Sequence, residues 1–281
     1  MGARVRRIDL PQSAKKHKEF ATHLYAVIFR LAQKEHLRSH REMRSWRECS
    51  DSEVNARQLL DCTWVMIYKF DKHRYLLQAK ARLVVRRHQQ DTVFENTYAS
   101  TLAGRSFRSL MAIAAHFDLE FSQYDVVNAF VHADLPYEIY MRQSPGYQTF
   151  ATILQLRSAL YGLKELPLLW QQDFTKTFTP PGFKPALHES CCYVKDEVLT
   201  FFYVHDIVVA RRTDQIDKVR LELDGLKETH SLTVGDDLQW FLGVEILCDR
   251  SRRLLWLSQT GYIAKLVHSL KTRLGSPKII R

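Results

Sequence analysis

The chain has 281 residues, 46% of them hydrophobic and 11% aromatic, and its 41 Lys and Arg against 31 Asp and Glu leave a net charge of +10. That composition excludes a disordered, collagenous or membrane-spanning protein, and the length allows one large domain or two small ones. The charge is segregated: residues 1–100 carry 20 basic and 11 acidic side chains, 101–200 carry 8 and 10, 201–250 carry 6 and 10, and 251–281 carry 7 and none. Basic ends suit a polyanion and an acidic middle suits a cation, although solubility alone explains the same excess.

From Lys15 to about Arg47 the sequence is rich in Lys, Arg and His and poor in Gly and Pro, with Phe20, Leu24, Val27, Ile28 and Leu31 at helical spacing. This predicts a helical, loosely attached segment. Thr63–Phe70, a polar turn at Asp71–Arg74 and Tyr75–Val85 make a hairpin pattern with a basic second arm. Over residues 101–117 the period changes, and Phe107, Leu110, Met111, Ala114 and Phe117 line one face of a helix.

A buried strand is expected at Leu119–Val126, with weaker strands near Ile139–Arg142 and Ile153–Leu156. A helix is predicted from Leu168 to Phe178, starting after Pro167 and stopping before Pro180-Pro181-Gly182. Strands at Cys191–Val194, Leu199–Val204 and Ile207–Ala210 precede a helix at Thr213–Glu228, which Thr213 can cap. Strands at Leu238–Leu247 and Leu254–Leu257 and a helix near Gly261–Leu270 complete the pattern. Without strict βαβ alternation the expected class is α+β with an antiparallel or mixed sheet.

The five cysteines, Cys49, Cys62, Cys191, Cys192 and Cys248, are odd in number and lack C-x-x-C spacing. They suggest neither a disulfide framework nor a Cys-rich zinc module, and a reducing compartment fits best. A zinc site from His188, Cys191 and Cys192 is opposed by strand alternation, which points neighbouring residues to opposite faces. The first residues lack the apolar core of a secretion signal, Arg6 stands where a myristoylation signal needs Ser or Thr, and no apolar run approaches the ~20 residues of a membrane span. The expectation is a soluble intracellular chain with no membrane partner.

Two isolated acids carry the candidate chemistry. In Leu199–Ala210 only His205 and Asp206 interrupt two greasy strands at a turn that ordinarily selects Asn-Gly or Asp-Gly. The pair is either an incidental polar tip or is kept for a use other than the turn. Asp125 ends the apolar stretch Leu119–Tyr124, and it shares a site with Asp206 if the two segments are neighbouring strands. Paired carboxylates hold Mg²⁺, which takes oxygen ligands, keeps several waters and uses substrate phosphates for the rest. Two such ions about 3.5–4 Å apart stabilise both oxygens of an in-line phosphoryl displacement.

Six motifs then follow in order: Lys80-Ala-Arg82-Leu-Val; Gln123-Tyr-Asp125-Val-Val-Asn-Ala-Phe130; Tyr140-Met141 with Pro145-Gly146-Tyr147; Leu160-Tyr-Gly-Leu-Lys164 with Pro167 and Trp170; Phe202-Tyr-Val-His-Asp206; and Trp240-Phe-Leu-Gly-Val-Glu-Ile246. Their order and spacing over about residues 60 to 270 resemble the reverse transcriptase of copia-type LTR retrotransposons. The resemblance implies a right-hand polymerase fold with fingers and palm interleaved, an antiparallel palm sheet packed on helices, and a partial thumb. The implied division is a basic helical extension at 1–59, fingers and palm at 60–258, and the start of a thumb at 259–281.

Asp125 and Asp206 match two of the family's three metal-binding carboxylates, for two Mg²⁺ ions or Mn²⁺. Lys80 and Arg82 match finger residues that contact the incoming triphosphate, as cationic forks do; alone, Lys-x-Arg on a strand would read as a solvated face. Phe130 matches the aromatic gate against a ribose 2′-OH and would otherwise read as core. Tyr161, Gly162 and Lys164 correspond to the floor under nucleotide and template, and Leu242 and Gly243 to the hairpin that grips the primer end. The implied reaction is attack of a primer 3′-OH on a deoxynucleoside triphosphate, directed by an RNA or DNA template, in the cytoplasm within a particle or in the nucleus.

Two residues depart from the family pattern. His205 stands where the family has an Asp, which leaves two carboxylates and a nitrogen ligand and predicts weak or absent Mg²⁺-dependent synthesis. Arg87 stands where the family usually has Gly, and a left-handed or closely approached backbone there would be strained by Arg. With no recognisable RNase H, protease or integrase region, the chain reads as a truncated, decaying copy of a polyprotein. The alternative function is a catalytically inactive nucleic-acid-binding relic with sequence-independent affinity of roughly 10⁻⁴–10⁻⁶ M.

Overall fold

The computed structural model describes residues 5–14, 17–20, 22–54, 58–71, 73–91, 97–127, 129–178, 182–235 and 237–274. The chain divides into two compact units that alternate along the sequence, Met1–Ala99 with Asn128–Phe174, and Ser100–Val127 with Thr175–Arg281. The first unit opens with α1 (His17–Phe20), α2 (Ala26–Glu42), β1 (Trp46–Ser50), β2 (Leu59–Leu60), β3 (Cys62–Phe70) and β4 (Leu76–Val85). The chain enters the second unit for α3 (Gly104–His116) and β5 (Glu120–Val126), then returns for β6 (Asp134–Arg142), β7 (Thr152–Ser158) and most of α4 (Leu166–Lys176). The second unit is completed by β8 (Lys184–Ala186), β9 (Glu189–Lys195), β10 (Val198–Tyr203), β11 (Asp206–Arg211) and α5 (Ile216–Thr229). After these come β12 (Leu232–Val234), β13 (Trp240–Phe241), β14 (Val244–Asp249), β15 (Leu254–Ser258) and α6 (Thr260–Leu274). Helices and strands are thus mixed, as the α+β expectation has it, and none of the described helices is long and apolar enough to cross a membrane.

In the first unit a four-stranded sheet runs β1-β7-β6-β2, with β2 and β6 parallel, and β3 and β4 form a separate hairpin. The hairpin alternates as a half-buried ribbon should: Trp64, Met66, Ala81, Leu83 and Val85 are buried, and Lys80 and Arg82 lie on the opposite face of β4. Helix α2 buries Phe29, Gln33, Leu37 and His40, a stripe of helical period, in the same apolar core as Trp64, Leu83, Met141 and Leu160. The loosely attached helix to Arg47 is therefore corrected. It stops at Glu42, it is part of the core, and Trp46–Ser50 pairs with β7 because cross-strand pairing overrides a helix-favouring composition. The start of α4 is corrected too: it begins at Leu166, with Pro167 inside its first turn, where a missing N–H has no partner to lose.

Two histidines of α2 are held neutral by burial. His36 Nε2 accepts the Leu83 N–H at 3.0 Å, and His40 stacks on Trp46 with Nδ1 2.9 Å from Ser45 Oγ. Burial, with Arg82 nearby, lowers the His36 imidazole from 6.5 to about 4, and burial, with His36 nearby, lowers His40 to about 3. Because both folded values lie below 6.5, unfolding takes up protons once the pH falls below that value. The stability they contribute is full above pH 6.5 and is lost as pH drops toward 4 and then 3. Urea unfolding at pH 7 and pH 5 is expected to differ by roughly 4 kcal/mol from this pair, about 2 from each ring. A His36→Gln/His40→Gln variant should lose most of that slope, and an unchanged slope would refute the assignment.

In the second unit a fully antiparallel six-stranded sheet has the order β12-β5-β11-β10-β9-β8. Helix α3 lays Phe107, Leu110, Met111 and Ala114 inward, and Ala114 packs with Leu119 and Ala210. A three-stranded sheet β13-β14-β15 stands beside it in sequence. The single strand expected over Leu238–Leu247 is broken by a tight turn with Leu242 at φ 53° and Gly243 at φ 73°. The expected Thr213 cap is likewise corrected. A 3-10 turn precedes α5, and the Thr213 hydroxyl donates to Glu120 Oε1 at 3.0 Å.

Candidate active site

The β10–β11 hairpin pairs Tyr203 with Asp206, so Val204 and His205 are its two turn residues. The turn expected at His205-Asp206 is thus shifted by one, and Asp206 is the first residue of β11. Val204 has φ 58°, a conformation that a β-branched side chain adopts only under strain and that such hairpins usually assign to Gly. Backbone strain of this kind persists where the surroundings hold it, and it gathers at functional turns.

The neighbouring pairing decides which acids meet. β11 pairs β5 from Arg211 opposite Glu120 to Asp206 opposite Asp125. The far end is locked: the buried Arg211 guanidinium donates to Glu120 Oε2 at 2.8 Å, and Arg250 bonds both Glu120 and Asp118. The Arg211 hydrogen bond, with help from Thr213 and Arg250, holds Glu120 below the usual carboxylate range. A one-residue slip would turn every side chain of β11 to the other face, so this lock also keeps Asp206 beside Asp125.

His205 joins the two acids. Its carbonyl accepts the Val126 N–H at 3.0 Å, which pins the turn to the end of β5. His205 Nε2 lies 3.7 Å from Asp125 Oδ1, and one ligand atom from each of Asp125, His205 and Asp206 lies within 4.8 Å of the others. Among the described residues this is the one group of three His, Cys, Asp or Glu so arranged. Asp125 and His205 are about half exposed, with side-chain exposures of 50% and 43%, so solvent and ions reach the cluster. The Asp206 carboxyl titrates above its usual value because it is partly buried; His205 works against that rise, and the Asp125 charge adds to it. Like charges facing each other across strands destabilise a bare sheet, and a dication between them reverses the sign. The two carboxylates fit Mg²⁺, whereas the imidazole nitrogen does not belong to its preferred ligands.

A second set of candidate residues gathers in the other unit. Lys80 is exposed on β4, and the Arg82 guanidinium carbon lies 5.2 Å from the centre of the Tyr161 ring. The Tyr161 carbonyl accepts the Val85 N–H at 2.7 Å, and Gly162, at φ 102°, rests on the backbone of Val85. Lys164 bonds Gln90 twice, its N–H to Oε1 at 2.8 Å and its ammonium to the backbone carbonyl. Gln90 in turn donates to Glu165 Oε2 at 2.6 Å, which also accepts the Tyr137 hydroxyl at 3.0 Å. Glu165 is fully buried. Sequence reading missed this polar knot, and the only available signal was a Glu beside a Lys in an otherwise apolar segment.

The expected strain at Arg87 is corrected: Arg87 opens a 3-10 turn with an exposed side chain and is not among the positive-φ residues. Phe130 falls in the 3-10 turn Ala129–His132, and its side chain lies outside the described residues. Leu242 and Gly243 form the β13–β14 turn. Cys191 and Cys192 are both buried, and burial pushes their thiols up to about 12 and about 11.

The family described as Reverse transcriptase (RNA-dependent DNA polymerase) matches residues 49–279. The retrovirus-related Pol polyprotein from transposon TNT 1-94 of Nicotiana tabacum is 31% identical over 229 residues, covering 78% of this chain and 17% of that protein. The corresponding polyproteins from transposons RE2 and RE1 of Arabidopsis thaliana are each 28% identical, again over 79% of this chain and 17% of their own length. The chain thus spans about a sixth of the length of these three relatives. The chain belongs to the reverse transcriptase family, within its copia-type retrotransposon branch.

Proposed function

We propose that the chain serves as the polymerase segment of a retrotransposon polyprotein, with RNA-directed DNA synthesis as its ancestral reaction and His205 as the cause of impaired turnover. The observation that carries this reading is the register that sets Asp125 opposite Asp206 with His205 beside them. In this reading the six-stranded sheet with α3 is the palm, the unit holding β3 and β4 is the fingers, and α6 begins a thumb. Asp125 and Asp206 would hold the divalent cation, Mg²⁺ or Mn²⁺, which when bound supplies charge stabilisation at the reacting phosphate.

The chain's own residues supply the rest. Lys80 and Arg82 pair with the triphosphate of the incoming deoxynucleotide, and the Tyr161 ring steadies the Arg82 fork against which the phosphates bind. Tyr161, Gly162 and Lys164 support template and nucleotide, Phe130 excludes a 2′-hydroxyl, and the Leu242-Gly243 turn holds the primer end. The partners are then a template–primer duplex and deoxynucleoside triphosphates, in the cytoplasm or nucleus.

Primer extension on an RNA template with Mg²⁺ tests the site assignment in the His205→Asp background. Adding Asp125→Asn or Asp206→Asn to that background should cut extension at least 10²-fold, since each removes a cation ligand. Undiminished extension in both double variants would overturn the reading. A second reading, a catalytically inactive relic that still binds nucleic acid, is favoured by His205 in the ligand set and by the basic ends. Its binding should fall steeply with salt, and a flat response would exclude a groove that tracks phosphates.

A further inference from the structure

We infer that the cluster of Asp125, His205 and Asp206 is a site for a transition-metal dication of the Zn²⁺ or Co²⁺ kind, held in preference to Mg²⁺. The donor set is two carboxylate oxygens and one imidazole nitrogen, all within 4.8 Å of one another. Neutral imidazole suits Zn²⁺, Co²⁺ and Ni²⁺, and mixed nitrogen and oxygen sites bind these ions well above the hard cations. Mg²⁺ demands near-octahedral oxygen ligands and gives up water reluctantly, so the ring contributes little to its binding.

Three features make this a ligand set and not a chance gathering of polar groups. The ring is delivered by a two-residue turn whose carbonyl is bonded to Val126 N–H at 3.0 Å, so the backbone cannot carry His205 away without breaking a strand-end hydrogen bond. The 3.7 Å between His205 Nε2 and Asp125 Oδ1 is close to the about 3.4 Å expected between ligands at the ~2.1 Å bond lengths of tetrahedral zinc. Two carboxylates and a neutral ring cancel the charge of a dication. The half-exposed Asp125 and His205 also leave an entry path and room for a water as the remaining ligand. Any two of the three ligands would be a weaker and less selective site.

The inference stands on the cluster's own geometry and needs neither nucleotide nor template, so it can fail while the polymerase reading survives, and the reverse. The test titrates the metal-free full chain with Co²⁺ and follows its visible ligand-field absorption, then adds Zn²⁺ or Mg²⁺ as competitor. The expected result is a Co²⁺ spectrum that one equivalent of Zn²⁺ abolishes and a 100-fold excess of Mg²⁺ leaves in place.

His205→Asp should weaken Zn²⁺ binding about 10–100-fold while the Mg²⁺ affinity rises, and Asp125→Asn should diminish the same Co²⁺ bands. Far-ultraviolet circular dichroism verifies that each variant is folded. Co²⁺ bands that persist unchanged in both variants would mean that other histidines or cysteines hold the metal, and the inference would fall. Equal displacement by Mg²⁺ would overturn it as well.

Discussion

Converting His205 to Asp is expected to raise Mg²⁺-dependent primer extension on an RNA template at least about 10²-fold over the unchanged chain. The position itself sets that magnitude. Changing a group that merely orients a metal ligand costs about 10–100-fold, and His205 stands in the ligand set itself. The substitution keeps the backbone that delivers the side chain, because the turn is fixed through the His205 carbonyl and the Tyr203–Asp206 pair, neither of which involves the imidazole. An Asp there adds a third oxygen donor beside Asp125, at the cost of one more negative charge in a half-exposed site. Without cation that charge lowers stability slightly, and Mg²⁺ should therefore raise the melting temperature of the variant more than that of the unchanged chain. Mn²⁺, which accepts nitrogen more readily, should narrow the gap in activity between the two. If the unchanged chain already extends primers as fast as the variant in Mg²⁺, His205 is not an impaired ligand.

The parts of the fold that sequence could reach are those where one period runs unbroken. The β3–β4 hairpin alternates over nearly twenty residues, and α3 repeats Phe107, Leu110, Met111 and Ala114 on one face, so both are legible within two or three residues. The acids were legible because each is a lone charge at the end of an apolar strand. Their adjacency was not, since it depends on β11 pairing with β5 across eighty residues of intervening chain, and nothing local encodes that register. Turn chemistry favours polar residues and so points to His205-Asp206, one residue past the real turn at Val204-His205, where a valine holds the left-handed position. Leu242 concealed its own turn for the same reason. The Gln90–Glu165–Tyr137 knot was out of reach because its partners come from three segments and a buried carboxylate looks like any surface acid in the string. The strand at Trp46–Ser50 carries a helix-like composition that pairing with β7 overrides.

The largest effect on folding should come from adding one methyl group at Gly162. A Cβ there would sit 2.2 Å from the Val85 carbonyl oxygen, 2.8 Å from the Val85 nitrogen and 2.9 Å from Val84 Cγ1, on a residue whose φ of 102° already disfavours any side chain. Two of those atoms are backbone of β4 and cannot swing aside. The turn would have to lift, which breaks the 2.7 Å bond from Val85 N–H to the Tyr161 carbonyl and draws the Tyr161 ring from beneath Arg82. Backbone strain of about 1–3 kcal/mol, a lost buried hydrogen bond and overpacking each contribute, so Gly162→Ala is expected to destabilise the chain by on the order of 4 kcal/mol. For a protein of this size that lowers the melting temperature by roughly 10 °C. Gly243 provides the control, because it has a similar backbone, with φ 73°, and nothing within 4 Å of its would-be Cβ. Gly243→Ala should therefore cost only about 1 kcal/mol, the conformational part alone. Equal melting temperatures for the two variants would mean that the Tyr161-Gly162 turn does not rest on β4, and the grouping of Arg82 with Tyr161 would fall with it.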